Sequence, residues 1–135
     1  MRSDGQGDLF AAVDWQDALE QMRDQGQLRD LDVAVARFLH QQAPDADPAV
    51  LVIAALTSAQ LAAGHLCLDL DEPELAQRLW PAGMPDSLVP ILPPDPPRWH
   101  ALLQASELVG EGPGQPLVLD GSRLYLHRNW TQEVK

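Results

Sequence analysis

A single cysteine, Cys67, leaves this chain without an internal disulfide, which excludes a secreted scaffold stapled by bridges and makes the cytoplasm the default compartment. Long apolar runs are just as scarce. The longest, "AVLVIAAL" at 49–56, falls well short of the roughly 20 residues that a membrane-spanning helix needs. The first residues, "MRSDGQGDLFAAV", place acidic residues where an export signal needs a basic flank, so no membrane partner is expected. Basic residues are few: 9 Lys and Arg stand against 20 Asp and Glu, a formal net charge of -11. A surface of that sign repels a phosphate backbone, and nucleic acid is not expected to bind it directly. The acidity suits a basic protein partner and equally serves solubility. Also missing is a G-x-x-x-x-G-K-[ST] motif. The glycines of "GEGPGQP" at 110–116 are interrupted by prolines that remove amide donors, so no cradle for a nucleotide is expected.

What is present suits one folded unit. The 135 residues are 45% hydrophobic and 21% charged, enough for a sizeable core. A flexible lead is expected at 1–8, a single domain at 9–130 and the start of a linker at 131–135. Ala12, Trp15, Ala18, Leu19 and Met22 recur at helical spacing up to "DQGQ" at 24–27. In the second helix Asp30 is placed to cap, with Leu31, Ala34, Val35, Phe38 and Leu39 forming one stripe and Arg37, His40 and Gln41 lying away from it. The third helix has the clearest start, Asp47 followed by Pro48, and its apolar residues 49–56 predict burial on nearly all sides before Gly64 stops it. This is the expected central helix.

"HLCLDL" at 65–70 alternates, with Leu66, Leu68 and Leu70 on one face and His65, Cys67 and Asp69 on the other, and predicts a strand. A short helix follows around "EPELAQRLW". The stretch 81–97 carries too many prolines for a regular element and predicts an extended connection. Helical spacing returns over 98–109. Last comes a hairpin, "PLVLDGSRLYLH" at 116–127, closed by a loop of two residues (Asp120-Gly121) or of four (Asp120 to Arg123). Either loop puts Leu117, Leu119, Leu124 and Leu126 on one face and Val118, Tyr125 and His127 on the other, whereas a three-residue loop would split the leucines. Because an isolated hairpin is marginal in water, the leucine row of 65–70 is its expected partner. The predicted architecture is mainly α with a small α+β element: a helical bundle of about four to five helices and a three-stranded antiparallel sheet formed by 65–70 and 116–127.

Residues that could carry chemistry are few. His65, Cys67, Asp69 and His127 are zinc ligands by type and would meet if the strands pair, but their spacing fits no zinc pattern. Ser58, Ser106 and Ser122 read as two helix residues and a turn residue, with nothing to mark an oxyanion pocket. Arg123, His127 and Arg128 with Tyr125 could touch phosphates and stack a base, but the acidic surroundings favour an ordinary hairpin face. No catalytic, cofactor-binding or metal residue is therefore assigned. "PILPPDPPRW" reads as a stiff connector in preference to a polyproline ligand. The tryptophans, Trp15 included, read first as core, although Trp80, Trp99 and Trp130 sit at element ends within a partner's reach. The candidate interface residues are Trp80, Trp99, Tyr125, Arg128 and Trp130.

"ALTSAQLAAGHLCLDL" at 55–70 together with "PLVLDGSRLYLHRNW" at 116–130 resembles the N-terminal domain of RecD, the alpha subunit of exodeoxyribonuclease V, the RecBCD helicase-nuclease. The marks are the helix ending in Gly64, the "GHLCL" strand entry and the "LDGSRLYLHRNW" hairpin; "LRDLDVAVARFL" at 28–39 is similar to the family's second helix with less specificity. The resemblance implies a domain that attaches its subunit to RecC, beside RecB, and precedes a 5′-to-3′ helicase motor acting in double-strand break repair. ATP and magnesium would belong to that motor, whose Walker lysine is not in these residues, and DNA would be met through the whole complex. An alternative from another class is a small metal-binding domain on His65, Cys67, Asp69 and His127, or a stand-alone DNA-binding module.

Overall fold

The computed structural model describes residues 15–110 and 115–126. Among them are five α-helices: α1 over 15–24, α2 Asp30–Gln42, α3 Pro48–Ala62, α4 Leu75–Leu79 and α5 Trp99–Gln104. Three strands, β1 Leu68–Asp69, β2 Leu117–Asp120 and β3 Arg123–Leu126, form one antiparallel sheet in the order β1-β3-β2. The expected mainly α fold with a small three-stranded sheet is what forms.

α1 buries Trp15, Ala18, Leu19 and Met22, while Ala12 lies outside the described residues. It ends at Gly26, whose φ of 84° lets Gln27 N reach back to Met22 O at 2.8 Å. α3 is the central helix. Asp47 Oδ1 accepts from Ala49 N at 3.0 Å, Pro48 opens the first turn, and every residue from Ala49 to Ser58 is buried. Each large aliphatic side chain so buried contributes about 1.5–3 kcal/mol. α3 packs on α2, α5, β1 and β3, so the two halves of the chain meet on it.

α2 turns a different face inward from the one its stripe suggests. Val33, Val35, Ala36 and Leu39 are buried with Asp32, while Leu31 is 47% and Phe38 41% exposed and Ala34 is also outside. Two apolar arcs overlap on this helix, sharing Val35 and Leu39, and Asp32 lies on the one that is buried. Its carboxylate, not that of Asp30, serves the helix start, accepting from Arg29 N at 2.9 Å, and it also accepts from Ser58 Oγ of α3 at 2.6 Å.

The strand expected over 65–70 shrinks to Leu68–Asp69. Leu68 and Leu70 are buried under the hairpin, but the chain bends at 66–67 and leaves Leu66 87% exposed. In the hairpin Leu119 faces Leu124 and Leu117 faces Leu126, the register of the four-residue loop, with Asp120 and Arg123 added as a closing pair around Gly121-Ser122. The even count holds, and Leu117 and Leu124 are fully buried.

The proline-rich stretch is not an extended connection. It forms two single-turn 3₁₀ helices, Asp86–Leu88 and Pro96–Arg98, and buries Leu88, Leu92 and Pro96. The prolines fix φ in a range that such turns share, and the intervening leucines fold the segment onto the core. α5 is shorter than 98–109: it stops at Gln104, and Ser106 Oγ then accepts from Leu108 N at 3.1 Å in a turn that buries Leu108. Ser106 is thus a turn residue rather than a helix residue.

Candidate functional site

Asp69 and Arg123 lie opposite one another in the strand register, and Tyr125, two positions along β3, shares their face of the sheet; Cys67 stands in the bend just before β1. The leucine face is buried on α3, so alternation sends the three strand residues outward. With His65, Leu66, Cys67 and, from the chain after β1, Glu72 and Arg78, they line a cleft of about 550 Å³.

The cleft's charges are arranged rather than scattered. Arg78 of α4 donates from Nε to Gln60 Oε1 of α3 at 3.0 Å and from Nη1 to Glu72 Oε2. Asp69 Oδ1 accepts from Ser122 Oγ at 2.8 Å and from Asp71 N at 3.1 Å, which ties the hairpin turn to β1. Arg123 differs: among the described residues no carboxylate lies within 4.0 Å of its guanidinium. Hydrogen bonding with the Tyr125 side chain, foremost, and the nearby Tyr125, Cys67 and Asp69 charges hold it above its ordinary pKa.

Hydrogen bonding to Arg78, foremost, holds the Glu72 carboxyl below its ordinary pKa. A carboxyl depressed on folding stabilises the protein above its unfolded pKa, about 4.3 for Glu, and that contribution is lost as pH falls through the lower folded value. Wild type is therefore expected to melt above Glu72→Gln at pH 7, and the two to converge on acidification. Thermal melts followed by circular dichroism between pH 7 and 3 read this directly; an unchanged difference at every pH would contradict it.

The sequence-derived candidates separate. Tyr125 lies in the cleft, half-buried. Trp80 and Trp99, read first as core and only second as interface candidates, are core residues at 3% and 0% exposure, packed edge to face with ring centroids 6.2 Å apart, and offer no exposed surface to a partner. Trp99 is tied to the proline-rich segment by its indole N–H, which donates to Pro93 O at 2.8 Å. Arg128, Trp130 and His127 lie outside the described residues. No group of three or more His, Cys, Asp or Glu side chains among the described residues is placed to hold a metal ion, and no described helix is long and apolar enough to cross a membrane.

Two features escaped the sequence. One is the buried Asp32: besides its backbone and Ser58 contacts it receives Arg29 Nε at 3.2 Å and Nη2 at 2.7 Å, and hydrogen bonding to Asp32, foremost, raises the Arg29 pKa. Nothing local marks a pair 26 positions apart. The other is a hollow of about 470 Å³ lined from α1 and the end of α2 by Trp15 and His40, whose ring centroids lie 5.3 Å apart, and by Asp17 and Glu20, with Pro44, Ala46 and Pro48 from the chain beyond. Glu20 is paired with Arg37.

The family model for the N-terminal domain of the RecBCD enzyme subunit RecD matches residues 24–125. The chain is 38% identical over 107 residues to the RecBCD enzyme subunit RecD of Mycolicibacterium smegmatis, an alignment covering 78% of this chain and 17% of that protein.

Proposed function

This chain belongs to the family of RecD N-terminal domains, and from that premise we propose that it is a non-catalytic docking domain that attaches a RecD subunit to RecC within a RecBCD assembly. The observation that carries the reading is the extent of the match: residues 24–125 take in α2 to α5 and the three strands but for the last residue of β3, so all of the fold beyond α1, not one motif, is matched. Such a domain works by rigid surface, and α3, buried on all sides through Ser58, supplies a stiff axis on which sheet and helices are mounted.

In this reading the domain precedes a 5′-to-3′ helicase motor that would hold ATP and magnesium, the assembly processes double-strand breaks for recombination in the cytoplasm, and DNA is met by the assembly as a whole. The net charge of -11 favours docking onto a partner surface that is basic overall and disfavours direct capture of a phosphate backbone. Size-exclusion co-elution of this chain with RecC from the same organism is the test. A stable complex at micromolar concentration supports docking; separate elution of the two proteins would overturn it.

A further inference from the structure

The sheet order β1-β3-β2 leaves β1 at an edge, and the pattern of its hydrogen bonds tells which groups face outward. Leu68 is paired with Leu124, and Leu70 N donates to Ser122 O at 2.7 Å. In an antiparallel ladder alternate residues bond to the same neighbour, so Leu68 and Leu70 turn their backbone groups to β3, while the planar peptides on either side of Leu68 turn the Cys67 carbonyl and the Asp69 groups to the open side. Asp69 O is taken by Glu72 N at 3.2 Å. The Asp69 amide and the Cys67 carbonyl remain directed outward, a short template for another strand. At the opposite edge, β2 is met at Leu117 by a parallel bridge from Val109, so β1 is the more open side.

We propose that the open edge of β1 receives an extended segment of the partner protein, which adds as a fourth strand and sets one carboxylate against Arg123 and one apolar side chain against Leu66. This names the surface and the partner chemistry for the docking reading and rests on it. Arg123 has no carboxylate within 4.0 Å among the described residues, Tyr125 and Arg78 flank it in the cleft, and Leu66 is 87% exposed beside them. Backbone pairing supplies affinity in such a mode, and the side-chain sites supply the choice of segment. Tyr and Arg are the residue types that dominate interface energetics. A partner surface that is basic overall is compatible with one carboxylate here, because charges beyond about 8 Å are largely screened at physiological ionic strength.

The single cysteine provides the probe. With RecC from the same organism as the binding partner, alkylation of Cys67 by N-ethylmaleimide, followed by mass spectrometry of its peptide, is expected to slow about tenfold in the complex, as for a group buried at an interface centre. Arg123→Glu is expected to weaken binding about tenfold or more, and Arg98→Glu, an exposed reversal outside the cleft, by less than about twofold. Circular dichroism checks folding of each variant. A Cys67 alkylated equally fast in the free and bound chain, or Arg123→Glu binding as tightly as wild type, overturns the edge-docking inference and leaves the docking function standing. Failure of wild type to bind overturns the function itself and the inference with it.

Discussion

Replacing Trp99 by alanine is expected to lower the unfolding free energy by about 4 kcal/mol, the range found when a fully buried large aromatic is truncated. Trp99 is 0% exposed, packs edge to face on Trp80, and donates its indole N–H to Pro93 O at 2.8 Å. The side chain therefore joins α5 to the proline-rich segment by contact and by a directed bond. Loss of both should release 81–97 before the α2–α3 pair. Urea unfolding measures the free energy, and limited proteolysis locates the release, with new cleavage expected inside 81–97. Trp99→Phe should retain most of the packing and lose the bond, about 1 kcal/mol with some cavity added. Trp80 makes the contrast, since its indole nitrogen is buried with no partner among the described residues; Trp80→Phe removes a polar group that the fold does not satisfy and should cost less. If Trp99→Ala lost under about 1 kcal/mol, the segment would not be held as described.

Asp32→Ala should cost about 3 kcal/mol, because it removes a fully buried carboxylate that accepts four hydrogen bonds and leaves Ser58 Oγ inside the fold without its acceptor. For a domain of this size that is a fall in melting temperature on the order of 10 °C. Ser58→Ala alone should cost about 1 kcal/mol, and the double variant less than the sum, with a coupling of about 1–2 kcal/mol. Thermal and urea unfolding of the four proteins of this cycle give the coupling directly. Additive losses would mean that the two side chains do not act as a pair. Arg29 is half-exposed, so Arg29→Ala is expected to be milder, with water replacing the guanidinium at that end.

The boundaries of α3 and the turn that ends α1 were legible because their determinants are local: Asp47 and Pro48 act within one turn, and Gly26 and Gly64 take positive φ, at 84° and 104°, where other residues are strained. The hairpin's even loop followed from a period of two and four leucines. Family membership followed from the residues at 55–70 and 116–130. Tyr125 could be placed on the outer face for the same reason, since strand alternation is a property of the backbone.

Tertiary structure decided the rest. Two apolar arcs on α2 compete, and the buried one carries Asp32, which accepts from a serine 26 residues away; no window of local sequence contains both groups. Leu66 has the right parity for the core and the chain bends before it arrives, so it is 87% exposed. Trp80 and Trp99 stand at element ends, positions a partner could reach in sequence terms, and are buried in a fold whose proline-rich segment, with Leu88 and Leu92 buried and Pro93 O accepting from Trp99, is folded onto the core. Composition and periodicity set which elements this chain can form. Which faces meet, and hence which surface is left for a partner, depends on burial and on pairs of polar groups distant in sequence, whose free energies are comparable to the differences between the alternatives.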